Sequence, residues 1–226
     1  MRVRSWMPAA VGALLVLVAL PAPAHPQRPP HREGGVTAAE LLAKVRGCVR
    51  VSEGLHRSDA GAPAVIPVCG VDGAVFWKAD MDIDCDGRPS PRCNRYTDPY
   101  FQPATSFRQS DGRYLRSENL PFVVVPAPSR TWDFRVHGIR GGSVAAVIHK
   151  NRVQYAVVGD TGPRGIIGEA SYATAEALGV RPDPRSGGTD SGVTYILFED
   201  SLVSPIEDHD LAAAQGEALA RRLVEG

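Results

Sequence analysis

Two carboxylates, Asp160 and Glu169, lie at the ends of a short glycine-rich excursion in this 226-residue chain. The β-branched run ending at Val158 reads as a strand that delivers Asp160 to its end. Gly162, Gly165 and Gly168 turn the chain, and Glu169 arrives just before a helical pattern that starts at Ser171. Two carboxyl groups returned to one neighbourhood are what hydrolysis of a glycosidic bond requires. One protonates the leaving oxygen, while the other activates water or attacks the sugar. A plainer reading stands beside it, in which Asp160 caps a turn and Glu169 occupies a first helical turn, where the helix dipole favours an anion. Such a position would depress the Glu169 pKa, whereas a general acid needs it raised.

A second group of carboxylates falls at every other residue: Asp80, Asp82, Asp84 and Asp86. In an extended strand all four point to one face, and like charges so arranged are tolerated only against water, a cation or a basic ligand. Three readings are open: a solvated acidic turn, a calcium loop, or the acidic wall of a cleft that binds a cationic ligand. Asp82, Asp84, Asp86 and Gly87 match the first half of a calcium loop, yet Cys93 stands at its last ligand position, where glutamate is required.

Other chemistries find less support. Gly159-Asp160-Thr161-Gly162 has threonine where a serine hydrolase would place its nucleophile, and no Gly-x-Ser-x-Gly elbow occurs. His56, His137 and His149 are scattered and read as packed or surface histidines. Trp77, Tyr96, Tyr100, Phe101 and Tyr114 have faces on which a sugar ring can stack, although such residues more often build a core.

The elements that must hold these groups are mostly strands. Thr37 and Glu40 form a capping-box pattern ahead of a helix over 38–46. Strand patterns occupy 64–76, 122–125, 132–136, 143–149, 153–158 and 193–198, with Lys150-Asn151-Arg152 as a hairpin turn. Helices are expected over 171–178 and 210–223, the latter with Leu211, Ala214, Leu219 and Leu223 on its apolar face. With little room for β-α-β alternation, the expected fold is mainly β (α+β): a single-domain β-barrel or sandwich with peripheral helices.

Composition sets the address. Arg2 and Arg4 precede an apolar run from Ala9 to Leu20 and the small residues Ala22 and Ala24, a secretory signal peptide over 1–24. Residues 25–35, rich in proline and glycine, read as a disordered leader, and 36–226 as the folded domain. The 25 basic and 25 acidic residues of the whole chain become 23 and 25 once the signal is removed. No clustered lysine and arginine suggest a nucleic acid or an anionic membrane as partner. Cys48, Cys69, Cys85 and Cys93 allow three pairings, and export favours disulfides. The sequence-local pairing, Cys48 with Cys69 and Cys85 with Cys93, closes the shorter loops, and the spacings do not suit zinc.

The stretches Phe76 to Gly87, Tyr155 to Pro163 and Ile167 to Ser171 resemble the two signatures of fungal-type chitosanases, glycoside hydrolase family 75. Phe101 to Ser106, Leu120 to Pro126 and Gly188 to Ile196 resemble bacterial members of that family. The resemblance implies a six-stranded double-psi barrel. It also implies an endo-acting enzyme that cleaves β-1,4 bonds between glucosamine units of chitosan with inversion, its acidic pair falling on Asp160 and Glu169. On that basis Glu169 is the expected general acid and Asp160 the general base, with Ile166 and Ile167 available to desolvate the acid. Asp80, Asp82, Asp84, Lys78, Trp77 and Tyr155 are the expected substrate-binding residues. The expected protein is a secreted monomer needing no metal or cofactor. A non-catalytic carbohydrate-binding or calcium-stabilised extracellular module is the alternative, as is a cell-wall enzyme acting on peptidoglycan or cellulose.

Overall fold

A computed structural model describes residues 35–226; the expected signal peptide, and the leader as far as residue 34, lie outside the described residues. The elements run α1 (Ala38–Lys44), β1 (Val49–Arg50), β2 (Cys69–Val71), β3 (Ala74–Asp84), β4 (Phe122–Pro126), β5 (Val144–His149), β6 (Arg152–Gly162), β7 (Glu169–Ser171), α2 (Tyr172–Leu178), β8 (Thr189–Phe198) and α3 (His209–Glu225). Six strands, in the order β3-β7-β4-β6-β5-β8, form a sheet that closes where β8 returns to pair with β3. The chain is thus a mainly β, single-domain closed barrel, with β1 and β2 appended beside β3. Two junctions are parallel, β3 with β7 and β4 with β6, and the other four are antiparallel. Closure leaves no barrel strand with an unpaired edge.

Alternation along the strands separates two cores. On one face Trp77, Met81, Val123, Val147, Ala156, Val158 and Tyr195 meet across the barrel, joined by Ala175 and Leu178 of α2. Trp77 and Tyr195, paired across β3 and β8, stack with ring centroids 5.3 Å apart. On the other face Phe76, Phe122, Val157, Tyr155 and Ile196 are covered by α1 and α3. Among the described residues no helix is long and apolar enough to cross a membrane.

Local signals account for most element ends. Thr37 and Glu40 form the expected capping box, and Ser171 caps α2 by accepting from the Thr174 N–H. His149 pairs with Arg152 across a two-residue turn in which Lys150 adopts a φ of 56°. Disulfides join Cys48 to Cys69 and Cys85 to Cys93, the sequence-local pairing.

One expectation fails and another holds in part. Residues 132–136 form no strand; Phe134–His137 is a 3-10 turn, because the Asp133 carboxylate accepts from the Arg135 N–H and Gly138 closes the turn at a φ of 65°. On α3 Leu223 is buried and Leu211 and Leu219 pack against the core as expected, but Ala214 is exposed and the rest of the buried line is Ala212, Gly216 and Ala220. Small residues face the barrel because α3 approaches Tyr155 closely: a Cβ on Gly216 would stand 2.4 Å from Tyr155 Cδ1.

Candidate active site

Backbone register brings the two carboxylates of the glycine-rich excursion onto one row. Val124 of β4 pairs with Glu169 of β7 on one side and with Asp160 of β6 on the other, and Glu169 pairs in turn with Asp82 of β3. The row Asp82, Glu169, Val124, Asp160 therefore crosses four strands, and residues in register point to the same side of a sheet. Asp160 joins it through a bulge. Val123 pairs with Val158 but Val124 with Asp160, so Gly159 is the extra residue and its insertion turns Asp160 to the other face. Glycine is required there, since a Cβ would lie 2.6 Å from the Phe122 side chain. Glu169 sits on β7, two residues ahead of the Ser171 cap, and not in a first helical turn. It therefore lies outside the first turn, where the dipole acts most strongly.

The electrostatics of the row are set by burial and like charge. Desolvation, then Asp82, Asp86, Asp160 and Asp80, push the Glu169 carboxyl up to about 7. Burial also raises Asp160, 6% exposed, but Oδ1 accepts from the backbone N–H of Ser106 at 2.8 Å and of Thr161 at 2.7 Å, which favours its anion. Asp84 is pushed well above the ordinary carboxylate range by burial and by Glu169, Asp160 and Asp86. Its Oδ1 accepts from the Asp86 N–H at 2.6 Å, while Asp86, raised to about 6 chiefly by burial, accepts from the Gln102 N–H at 2.7 Å. One oxygen each of Asp84, Asp86 and Asp160 lies within 4.8 Å of the others.

A cleft of about 380 Å³ opens at the Glu169 end of this row, lined by Asp82, Asp84, Asp86 and Glu169 and flanked by Tyr100 and Arg185; Asp160 is not part of its lining. The Arg185 guanidinium donates to the carbonyls of Tyr96 and Thr97, joining the loops on either side. Of the aromatic residues singled out from the sequence, Tyr100 is 84% exposed and beside the cleft. Trp77 and Tyr155 are not available to a substrate: Trp77 fills the barrel against Tyr195, and Tyr155 is sealed under α3 with its hydroxyl donating to Glu217 at 3.0 Å. Lys78 is exposed on β3, paired in register with Thr194. Among the ladder residues Asp82 is exposed and Asp80 and Asp84 are buried. No calcium loop forms over 82–93, because Asp82 and Asp84 are strand residues and Cys93 is bonded to Cys85.

Sequence reading missed Asp59, Asp98 and Asp183. Asp98 and Asp183 line the cleft, and Asp59 brings its carboxylate to Asp80 and Asp82. All three stand in irregular segments, where no periodicity reports direction; the Pro182-Asp183-Pro184 turn signal marks a loop but not its destination.

A family model described as fungal chitosanase of glycosyl hydrolase group 75 matches residues 81–225. The chain belongs to glycoside hydrolase family 75. Within that family it is similar to endo-chitosanase B of Aspergillus oryzae, 29% identical over 147 residues that cover 58% of this chain and 61% of the relative. An endo-chitosanase of Aspergillus fumigatus is 30% identical over 151 residues, 61% of this chain and 63% of the relative. Endo-chitosanase C of Aspergillus oryzae is 29% identical over 168 residues, 68% of this chain and 42% of the relative. The chain thus spans about three fifths of the length of the first two. The family match includes Asp82, Asp84, Asp160 and Glu169 and begins just after Asp80.

Proposed function

We propose that this family 75 chain is an endo-chitosanase that hydrolyses β-1,4 bonds between glucosamine units of chitosan with inversion, Glu169 serving as general acid and Asp160 as general base. The observation that carries the reading is the row in which Glu169 and Asp160 flank Val124 on one face. Two strand spacings separate their backbones by about 9.5 Å, and an inverting pair needs room for a water between its carboxyl groups. The surroundings of the two carboxyls support the roles. With a pKa of about 7, Glu169 holds its proton in mildly acidic solution and can pass it to the leaving oxygen. Asp160, with two backbone N–H groups on Oδ1, is the better anion and takes the proton of the attacking water.

Substrate charge fits the same cleft. Protonated glucosamine carries an ammonium group, and Asp82, exposed at the cleft, offers a carboxylate to receive it, with attraction that falls as salt rises, while Asp84, buried and held toward its neutral form, offers the substrate a polar wall and not a charge. Asp80, 7% exposed, acts on the substrate through its field and not by contact. Tyr100 supplies an aromatic face beside the cleft. Lys78, exposed on the same strand, is the one basic residue of the ladder and contributes at its margin. Export from the cell is part of the proposal, supported by the signal-peptide pattern and the two disulfides. So is action as a monomer without a cofactor.

The test is incubation of the purified protein with highly deacetylated chitosan at mildly acidic pH, beside the double variant Asp160→Asn/Glu169→Gln. Rapid loss of viscosity with new reducing ends, absent in the variant, is the expected result. Polymer binding without reducing ends would instead mark a carbohydrate-binding module, and preference for a neutral or acidic glycan would mark a different hydrolase.

A further inference from the structure

A second carboxylate cluster lies beside the catalytic row and involves a part of the chain outside the family match. Asp59, Asp80 and Asp82 each bring one oxygen within 4.8 Å of the others. Asp59 belongs to the segment closed by the Cys48–Cys69 disulfide. That segment is tied to the connection leading to Glu169: Arg57 N–H donates to Gly165 C=O at 3.0 Å, and Ile167 N–H to Arg57 C=O at 3.1 Å.

The two clusters differ in how their oxygens are satisfied. Asp84, Asp86 and Asp160 each have an oxygen that accepts a backbone N–H. Asp80 is 93% buried, by its relative exposure of 7%, and its Oδ1 has no hydrogen-bond partner. Gly168, at a φ of 120°, leaves it space, since a Cβ there would fall 2.1 Å from Oδ1. The charges nearest in effect on Asp80 are Asp82, Asp59 and Asp190, all acidic, and among the described residues no lysine, arginine or histidine forms an ion pair with any of the three cluster members. A desolvated carboxylate oxygen with neither donor nor cation is costly.

We infer that Asp59, Asp80 and Asp82 form a binding site for a divalent cation of the calcium class. Hard carboxylate oxygens suit such an ion, and the 4.8 Å limit on their separation is about twice a calcium–oxygen bond of roughly 2.4 Å. A bare ion needs less access to a carboxylate as buried as Asp80 than an ammonium carried on a sugar ring. Asp59 and Asp82 are exposed, so the remaining coordination positions face solvent, and with one oxygen from each carboxylate on the ion the second Asp82 oxygen is left for the cleft. Bound there, the ion links the disulfide-closed segment to β3 alongside the catalytic cleft.

The test compares thermal unfolding of the full chain in EDTA with unfolding in about 10 mM calcium chloride, a concentration that saturates sites of the extracellular class. Isothermal titration with calcium supplies the stoichiometry. One calcium per chain and a midpoint raised by about 5 °C are expected. Both are lost in Asp59→Asn, a surface change that does not disturb the barrel, and in Asp80→Asn, and both persist in Asp86→Asn. Absence of binding and shift in the unaltered protein would overturn the inference. So would retention of both in Asp59→Asn, or their loss in Asp86→Asn alone, which would place the ion at the catalytic cluster.

Discussion

Strand β3 carries two opposite kinds of surface on one face. Around Phe76 that face is apolar and lies with Tyr155 and Ile196 in the core covered by α1 and α3. A few residues on, the same alternation presents Lys78, Asp80, Asp82 and Asp84, with Glu169 and Asp160 beside them across β7 and β6. The apolar half is closed by a helix whose small residues let it approach within contact of Tyr155; the acidic half is left to a cleft. Stability and chemistry are thus drawn from one set of strands, and the barrel core behind them makes the acidic half rigid enough to hold like charges together.

The largest expected effect breaks the acidic half without the apolar one. Glu169→Gln or Asp160→Asn should lower kcat on chitosan by about 10²- to 10⁴-fold. The far-ultraviolet circular dichroism should not change. Because burial and like charge raise the Glu169 pKa, the ionised group destabilises the fold, so Glu169→Gln should also raise stability at neutral pH, by ~2 kcal/mol. The reverse change attacks the apolar half: Gly216→Ala, whose Cβ has no room beside Tyr155, should cost about 1–3 kcal/mol in urea unfolding while the folded fraction keeps its KM.

How far this division can be read from the sequence depends on whether its causes are local. Caps, the hairpin at Lys150 and the alternating carboxylates of β3 are local patterns, and each appears where the residues put it. The order of strands is not local. Nothing near Asp160 or Glu169 announces that β4 runs between them, and the bulge at Gly159 that aims Asp160 exists only because β4 pairs with β6. Trp77 and Tyr155 have the chemistry of sugar platforms, yet burial is decided by α2, α3 and β8, all distant in sequence. Asp59 arrives because Arg57, two residues before it, bridges to Ile166, a pairing that has no signature at all.

A pH titration sharpens the comparison. Asp80 and Glu169 at about 7 and Asp86 at about 6 all have folded-state values above those of an unfolded chain, so the native state binds more protons between pH 4 and 7. The contribution of these three groups to stability is therefore fully present below about pH 4 and is lost as pH rises toward 7; urea midpoints across that range, compared between the unaltered protein and variants of these groups, measure it. In Gly216→Ala the midpoints should be lower throughout with the same slope, whereas Glu169→Gln should flatten it.

The smallest effect concerns substrate charge. Asp82→Asn should raise KM for chitosan by about 3- to 10-fold at low salt, more than it lowers kcat, and the difference should shrink as sodium chloride is added. Unchanged KM in this variant would remove the exposed carboxylate of the ladder from substrate recognition.

Stereochemistry tests the row of Glu169, Val124 and Asp160 most directly. Proton magnetic resonance of the first products released from chito-oligosaccharide, recorded before mutarotation, reports the anomer formed. The α-anomer is expected, because one intervening strand leaves space for water between acid and base. An initial β-anomer would require a covalent intermediate on one of the carboxylates and would contradict the roles assigned to both.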